Sequence, residues 1–264
     1  MKYYVVSDVH GYLDLLKAAL QKAGFFDETE PCKLIVCGDL LDRGPQANEM
    51  VAFLLDLMKK DQLIYILGNH EDLLVQCLQE VASGRAYEIA SGASHHYRNK
   101  TWNTLLQLSG MNEIEAYYNF YELIRRVRGS DFYQKLLPKA ENYYETEHYI
   151  FTHGWIPCIV DGAGMSVKYR YDPNWRDADI VSWESARWMN GMNLACKHHV
   201  LEKGKTIVCG HFHTSYGHAH INHSCNEWGS DADFSPFKAE GVWAIDACTA
   251  YIYSQKVNCI VIED

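Results

Sequence analysis

The sequence has no C-x-x-C pair, and its nine cysteines are scattered and odd in number. A disulfide framework is therefore excluded as a reading, and reduced thiols in a cytoplasmic protein are expected. No run of 18 apolar residues occurs, so the usual signal for a membrane-spanning helix is missing. Asp8 and His10 follow the first strand-like residues at once, which leaves no apolar stretch for a signal peptide, and no targeting segment is expected. Positive charge is in deficit: 24 Lys and Arg face 34 Asp and Glu, for a net charge of −10. That balance argues against a broad nucleic-acid or anionic-membrane surface and leaves room for a small basic pocket only. Repeats and low-complexity linkers are also missing, so no domain boundary is marked.

What is present reads as globular. Hydrophobic residues make up 48% and charged residues 22% of 264, and a chain of this length buries roughly 70% of its unfolded surface without staples. Seven short runs rich in β-branched and aromatic residues read as strands: 3–7, 33–37, 63–67, 148–152, 206–209, 242–246 and 257–262. Most are continuously apolar rather than alternating, as expected for strands covered on both faces. Helical spacing appears between the early strands, at 12–23, 46–60 and 71–82. Strand–helix alternation predicts βαβ units and an α/β fold. The stretch 85–147 has few strand signals, several helical ones (100–108 and 113–128) and much of the chain's tyrosine. It reads as a helical insertion in one domain spanning 1–264, and its tyrosines read first as helix packing. Residues 214–240 form a second irregular stretch, long enough to suggest a functional role.

Chemistry is concentrated where the strands end. Run 3–7 leads into Asp8-Val9-His10-Gly11, run 33–37 into Gly38-Asp39-Leu40-Leu41-Asp42-Arg43-Gly44, and run 63–67 into Gly68-Asn69-His70-Glu71. Run 148–152 leads into His153-Gly154 and run 206–209 into Gly210-His211-Phe212-His213. In open α/β sheets the carboxyl edge is where ligands bind. Alone, an Asp after a strand is usually a turn or helix-cap residue. Five strands delivering Asp, Asn or His to one edge are not explained that way, and a polyvalent metal accounts for such a convergence.

These blocks resemble the calcineurin-like metallophosphoesterases, and the first three look like the phosphoprotein phosphatase branch, which includes bacterial and phage serine/threonine phosphatases. The resemblance covers residues 1–75 closely and 148–260 more loosely. It implies two mixed β-sheets packed as a sandwich flanked by helices. It also implies two divalent or transition-metal ions, Mn²⁺ first, with Fe or Zn as alternatives. Asp8, His10 and Asp39 would hold one ion, joined by His213. Asp39, Asn69, His153 and His211 would hold the other. His70, oriented by Asp42, would protonate the leaving group, while Arg43 and Asn69 would meet the phosphate. A second phosphate-binding Arg would come from Arg170, Arg176 or Arg187, with Arg187 favoured.

The chemistry is consistent with those types. Two metals lower the pKa of a water and clamp attacking and leaving oxygens, and a carboxylate beside an imidazole raises its pKa and orients the ring. The implied activity is hydrolysis of a phosphomonoester, with phosphoserine or phosphothreonine protein first. The alternatives are a nucleotide or diadenosine-polyphosphate hydrolase, which in the family pattern lacks an Asp at the place of Asp42, a small-molecule phosphatase, and a non-catalytic metal-binding scaffold. The segment His218-x-His220-x-x-His223-x-Cys225 is a candidate third metal site or a polar border of the first. Asp246 is expected to hydrogen-bond the loops of the site rather than to ligate.

Overall fold

In the computed structural model, which describes residues 1–162 and 167–264, the continuously apolar strands are apolar for a simple reason. Strand β1 (Lys2–Val6) runs parallel to β2 (Cys32–Cys37), and β2 runs parallel to β3 (Leu63–Ile66). Successive side chains alternate between faces, and here both faces are covered. Tyr3, Val5, Ile35, Cys37, Ile64 and Ile66 point to one side; Tyr4, Val6, Leu34, Val36 and Tyr65 point to the other. The second side is packed by α1 (Leu13–Ala23), through Leu13, Leu16 and Leu20, and by α2 (Ala47–Lys59), through Met50, Val51 and Leu54.

The helix expected at 71–82 is α3 (Asn69–Glu80) and starts two residues earlier. The chain then enters short helices α4 (Ala86–Ala90), α5 (His95–Arg98), α6 (Thr101–Ser109), α7 (Glu113–Tyr118) and α8 (Phe120–Arg128). Helical turns continue to Lys139, so the helical segment ends before the expected 147. Its apolar faces, including Trp102, Leu105, Ala116, Leu123, Val127 and Phe132, enter the same core as α1 and α2. Tyr97 and Tyr133 pack against that core, while Tyr87, Tyr117, Tyr118 and Tyr121 stay exposed.

The second sheet has the order β4 (Tyr144–Glu145), β5 (Tyr149–Phe151), β8 (Thr206–Cys209), β10 (Val242–Ala244), β9 (Phe237–Ala239). Strands β5, β8 and β10 are parallel, and the edges β4 and β9 are antiparallel. Phe151, Val208 and Ile245 meet the first sheet; Ile150, Ile207 and Val242 pack with α9 (Ile180–Arg187) and α10 (Gly191–His198) on the outside. Strand β11 (Ile260–Glu263) closes the first sheet antiparallel to β1. Both sheets are therefore mixed, and they pack face to face between helices. The hairpin β6 (Cys158–Asp161) and β7 (Lys168–Tyr171) and the edges β4 and β9 were not expected from the sequence. They are two to four residues long, too short to carry a period. The helix α11 (Ser215–His220) lies in the stretch expected to be irregular.

The helical segment is core. Trp102→Ala should destabilise the fold by ~3–5 kcal/mol, as for large-to-small changes at sealed sites. Chemical denaturation of the purified variant checks this, with an unchanged midpoint excluding the packing role.

Candidate active site

The register of the parallel strands brings their ends level, with Val6 opposite Val36 and Cys37 opposite Ile66. The loops that follow are stitched together by main-chain bonds. Asp8 N donates to Gly38 O, His10 N to Asp39 O, Gly11 N to Leu40 O, and Gly44 N to His10 O, at 2.8–3.2 Å. The stitching holds an unusual backbone. Asp8, His10, Asp39, Asp42, Arg43 and His211 all have φ between 49° and 67°. Each such non-glycine residue costs on the order of 1–3 kcal/mol, and such strain concentrates at functional sites.

Two groups of donor atoms result, sharing Asp39. One is His10, Asp39 and His70; the other is Asp39, His153 and His211, and within each group the atoms lie within 4.8 Å of one another. His153 Nδ1 donates to the Cys37 carbonyl (2.8 Å), so in the neutral ring Nε2 carries a lone pair. That lone pair faces two more acceptors, Asn69 Oδ1 at 2.8 Å and Asp39 Oδ1 at 3.2 Å. His211 Nδ1 lies 2.9 Å from the same Asn69 oxygen. His10 Nδ1 donates to the Leu41 carbonyl, which turns its Nε2 lone pair into the site.

Burial lowers the pKa of His10 and of His153, and that of His211 to about 3, so none of them carries the missing positive charge. Asp8 is fully buried beside Asp39 and Asp246, and burial and those two carboxylates raise its pKa. Burial likewise pushes Asp246 up to about 6. Neutral imidazoles, buried carboxylates and an amide oxygen facing one another fit bound cations with N/O ligands.

His70 is different in kind. Its Nδ1 is 2.7 Å from Asp42 Oδ2, and its Nε2 faces the Arg43 guanidinium at 3.1 Å. Burial lowers its pKa, but Asp39 and Asp42 outweigh that, and the net shift is upward. Arg43 also reaches His10 Nε2, at 2.9 Å. Asp42 is held from behind by the Thr101 and Thr104 hydroxyls of α6.

The remaining expected residues fall elsewhere. His213 joins neither group: its Nε2 is bound to Glu227 (2.9 Å) and its ring lies against Trp228. The place expected for it beside Asp8 and His10 is thus not where the structure puts it. Asp8 is also outside both groups, although its Oδ2 accepts the His211 backbone N–H (3.0 Å) at their edge. Arg187 is buried and pairs with Asp72 (2.8 Å) and Asn142 (2.6 Å); it belongs to neither group, although its charge acts on His153. Arg170 pairs with Asp161 and Arg176 with Glu145. His218 contacts the Ser235 carbonyl and His220 contacts Glu227. These histidines form no ligand group among the described residues. Asp246 accepts from Cys248 N, and its own carbonyl accepts from Thr214 N, which suits a loop-bonding role.

The sequence profile of the calcineurin-like phosphoesterases matches residues 1–215. The chain belongs to that family. Members use a dinuclear metal centre, and the two groups around Asp39 are candidate ligands for one here. Among curated relatives, the asymmetrical bis(5'-nucleosyl)-tetraphosphatase PrpE of Bacillus subtilis is 34% identical over 85 residues, 30% of this chain and 35% of that protein. The corresponding enzyme of Halalkalibacterium halodurans is 28% identical over 132 residues, 47% of this chain and 49% of that protein. The chain thus spans about a quarter to a half of the length of the curated relatives it matches. A solved cold-active protein tyrosine phosphatase superposes with a TM-score of 0.50 at 14% identity, covering 99% of this chain and 73% of that one. That likeness is one of fold.

Glu71 is a supporting residue of this site that sequence reasoning passed over. Its carboxylate accepts from Gly68 N (2.6 Å), Asp39 N (3.0 Å) and Leu40 N (2.9 Å), tying the loops after β2 and β3 to the first turn of α3. The signal was available, since a Glu at the third helical position is half of a capping box. Gly68 permits the close approach: a Cβ there would collide with Asp39 N and Oδ1. Gly68 has φ −105°, which alanine also adopts, so only the collision acts in Gly68→Ala. That variant should weaken Mn²⁺ binding by ~10–100-fold, the range for disturbed support of a ligand, as titration calorimetry would read.

Proposed function

We propose that the chain hydrolyses phosphomonoesters at a dinuclear metal centre, with phosphoserine or phosphothreonine protein as the first substrate class. Asp8, His10 and Asp39 would hold one ion, and Asp39, Asn69, His153 and His211 the other. The nitrogen and oxygen donors suit Mn²⁺ first, with Fe or Zn as alternatives, and disfavour Ca²⁺. When bound, the ions supply charge neutralisation at the phosphoryl oxygens and a nucleophile from water at neutral pH. Nine free thiols suit a reducing, cytoplasmic setting.

The observation that carries the reading is the His70–Asp42 pair. An alkoxide leaving from serine or threonine needs a proton. His70 Nε2 faces into the site while Nδ1 is fixed by a carboxylate. Asp42 thereby sets the tautomer and favours the protonated ring, which is the requirement for a general acid. Arg43, with its guanidinium beside both His10 and His70, would take the phosphoryl oxygens bidentately. Asn69, at the first turn of α3, places a side chain and the positive end of a helix at the same point.

A second reading is hydrolysis of dinucleoside tetraphosphates, favoured by the names of the curated relatives. Two features weigh against it. Asp42 is present, and an acid dyad is most useful for a poor leaving group. Arg187, the buried candidate for a second anion ligand, is already neutralised by Asp72, which leaves few fixed cations for a polyphosphate chain. A panel of phosphopeptides, diadenosine tetraphosphate, nucleotides and sugar phosphates assayed with Mn²⁺ decides between them. Phosphopeptides should show the highest kcat/KM. Preferred turnover of the tetraphosphate would overturn the substrate class, and no turnover of any ester would overturn the enzyme.

His70→Asn should keep its metals and lower kcat by ~10²–10⁴ on an alkyl phosphate, the usual worth of acid–base catalysis. The loss should shrink for p-nitrophenyl phosphate, whose leaving group needs no proton. Elemental analysis beside kinetics reads both points, and loss of metal from the variant would make His70 a ligand instead. Asp39→Asn should reduce bound metal at both sites and abolish turnover, because its carboxylate is common to the two groups.

A further inference from the structure

The helical segment between α3 and β4 was expected to be packing, and most of it is. One face of α6 is not. Thr101, Thr104 and Gln107 stand three residues apart and therefore on one side of the helix, and all three are bonded to the loop that carries Asp42 and Arg43. Gln107 Nε2 donates to Gly44 O (3.0 Å), and its Oε1 accepts from Ala47 N (2.9 Å), at the entry to α2. Thr101 Oγ1 donates to Asp42 Oδ2 (2.8 Å). Thr104 Oγ1 donates to Asp42 Oδ1 (2.5 Å) and accepts from Asp42 N (3.1 Å). Thr101 and Thr104 are fully buried, and Asp42 nearly so.

We propose that Thr101 and Thr104 are positioning residues for catalysis, setting the Asp42 carboxylate at the angle at which it orients the His70 ring. The inference rests on the acid role of His70 proposed above. Its warrant is a count of donors. Asp42 Oδ2 takes two, His70 Nδ1 and Thr101; Oδ1 takes Thr104. With a hydroxyl donor from one helix on each oxygen, the plane of the buried carboxylate is held against twisting about its terminal bond. Thr104 adds a second restraint, because the same hydroxyl binds the Asp42 main chain, where φ is 67°. Its alternative acceptor, the Lys100 carbonyl at 3.4 Å, is farther away than the carboxylate, and a charge-assisted bond prevails over a neutral one. Neither threonine approaches the ligand groups directly, so both act through Asp42. The helical segment thus supplies the outer layer of the acid as well as core.

Thr104→Val and Thr101→Val keep the shape and remove the hydroxyl; Thr104→Ser keeps the hydroxyl. Three measurements on the Mn²⁺-loaded chain test the proposal. With phenyl phosphate, Thr104→Val should lower kcat about tenfold with KM nearly unchanged. With p-nitrophenyl phosphate the fall should be threefold or less, and Thr104→Ser should restore both. In an Asp42→Asn background, Thr104→Val should add little, because the group it steers is gone. The low-field proton resonance of His70 Nδ1–H, assigned by its loss in His70→Asn, should shift or broaden in Thr104→Val and return in Thr104→Ser.

Equal loss on both esters, full additivity with Asp42→Asn, or an unmoved His70 resonance would each overturn the proposal. If Thr104→Val does not fold, Thr101→Val carries the same measurements with the same expectations at smaller amplitude. Failure of the underlying reading is seen separately, as a His70→Asn variant without leaving-group dependence. The positioning role would then be overturned with it, whatever the threonine variants show.

Discussion

Burying Asp8, Asp39 and Asp246 together is the constraint on which the rest of this structure depends. Unrelieved, like charges in a low-dielectric pocket are costly, and the raised pKa values of Asp8 and Asp246 register that cost. The protein relieves it in part with the Arg43 guanidinium, which opposes the rise at Asp246. It surrounds the carboxylates with imidazoles whose outer nitrogens are committed to main-chain carbonyls, His10 to Leu41 and His153 to Cys37. That choice fixes the tautomer of each ring and leaves every inner nitrogen an acceptor. Arg43 supplies donors at one edge, beside His10 and His70, and the acceptors gathered around Asp39 fit bound cations.

The sandwich exists to hold that pocket. Six strained backbone positions could not persist in free loops; they persist because two parallel registers fix where each loop begins and main-chain bonds fix where it goes. Glu71 adds the third tie, accepting three N–H groups from two loops at the start of α3. Candidate ligands from the second sheet, His153 after β5 and His211 after β8, arrive across the inter-sheet core formed by residues such as Val5, Ile35, Phe151 and Val208. Core packing and ligand placement are therefore one problem, since a shift between the sheets moves His153 relative to Asp39.

The sequence was most legible where chemistry and periodicity coincide. Seven apolar runs became seven strands, the inner ones covered on both faces and β11 on one, and the residues after five of them reached one site because parallel strands end level. Legibility failed for three kinds of feature. Strands β4, β6, β7 and β9 are two to four residues long and owe their existence to a partner. His213 carries the same local signal as His211, two residues away, yet its ring is turned to Glu227 and Trp228; spacing along a loop does not say which side chain turns inward. Arg187 was expected because aromatic neighbours would fix its stem. It is fixed, but by Asp72 and Asn142, partners that lie 115 and 45 positions away.

The division of labour between the two faces of α6 explains why the helical segment looked like packing alone. Trp102, Leu105 and Leu108 form the apolar stripe that any amphipathic helix shows. Thr101, Thr104 and Gln107 form the adjacent stripe, which in a surface helix would border water. Here that polar stripe is turned onto the Asp42 loop and buried. A buried polar side chain must be satisfied, and on α6 the satisfying partners are Asp42 and the Gly44 carbonyl. The hydrophobic stripe thus sets the rotation of α6, and that rotation delivers two hydroxyls to the one carboxylate that needs them. Packing and function are coupled through a single helix angle, which no local pattern of residues could have disclosed.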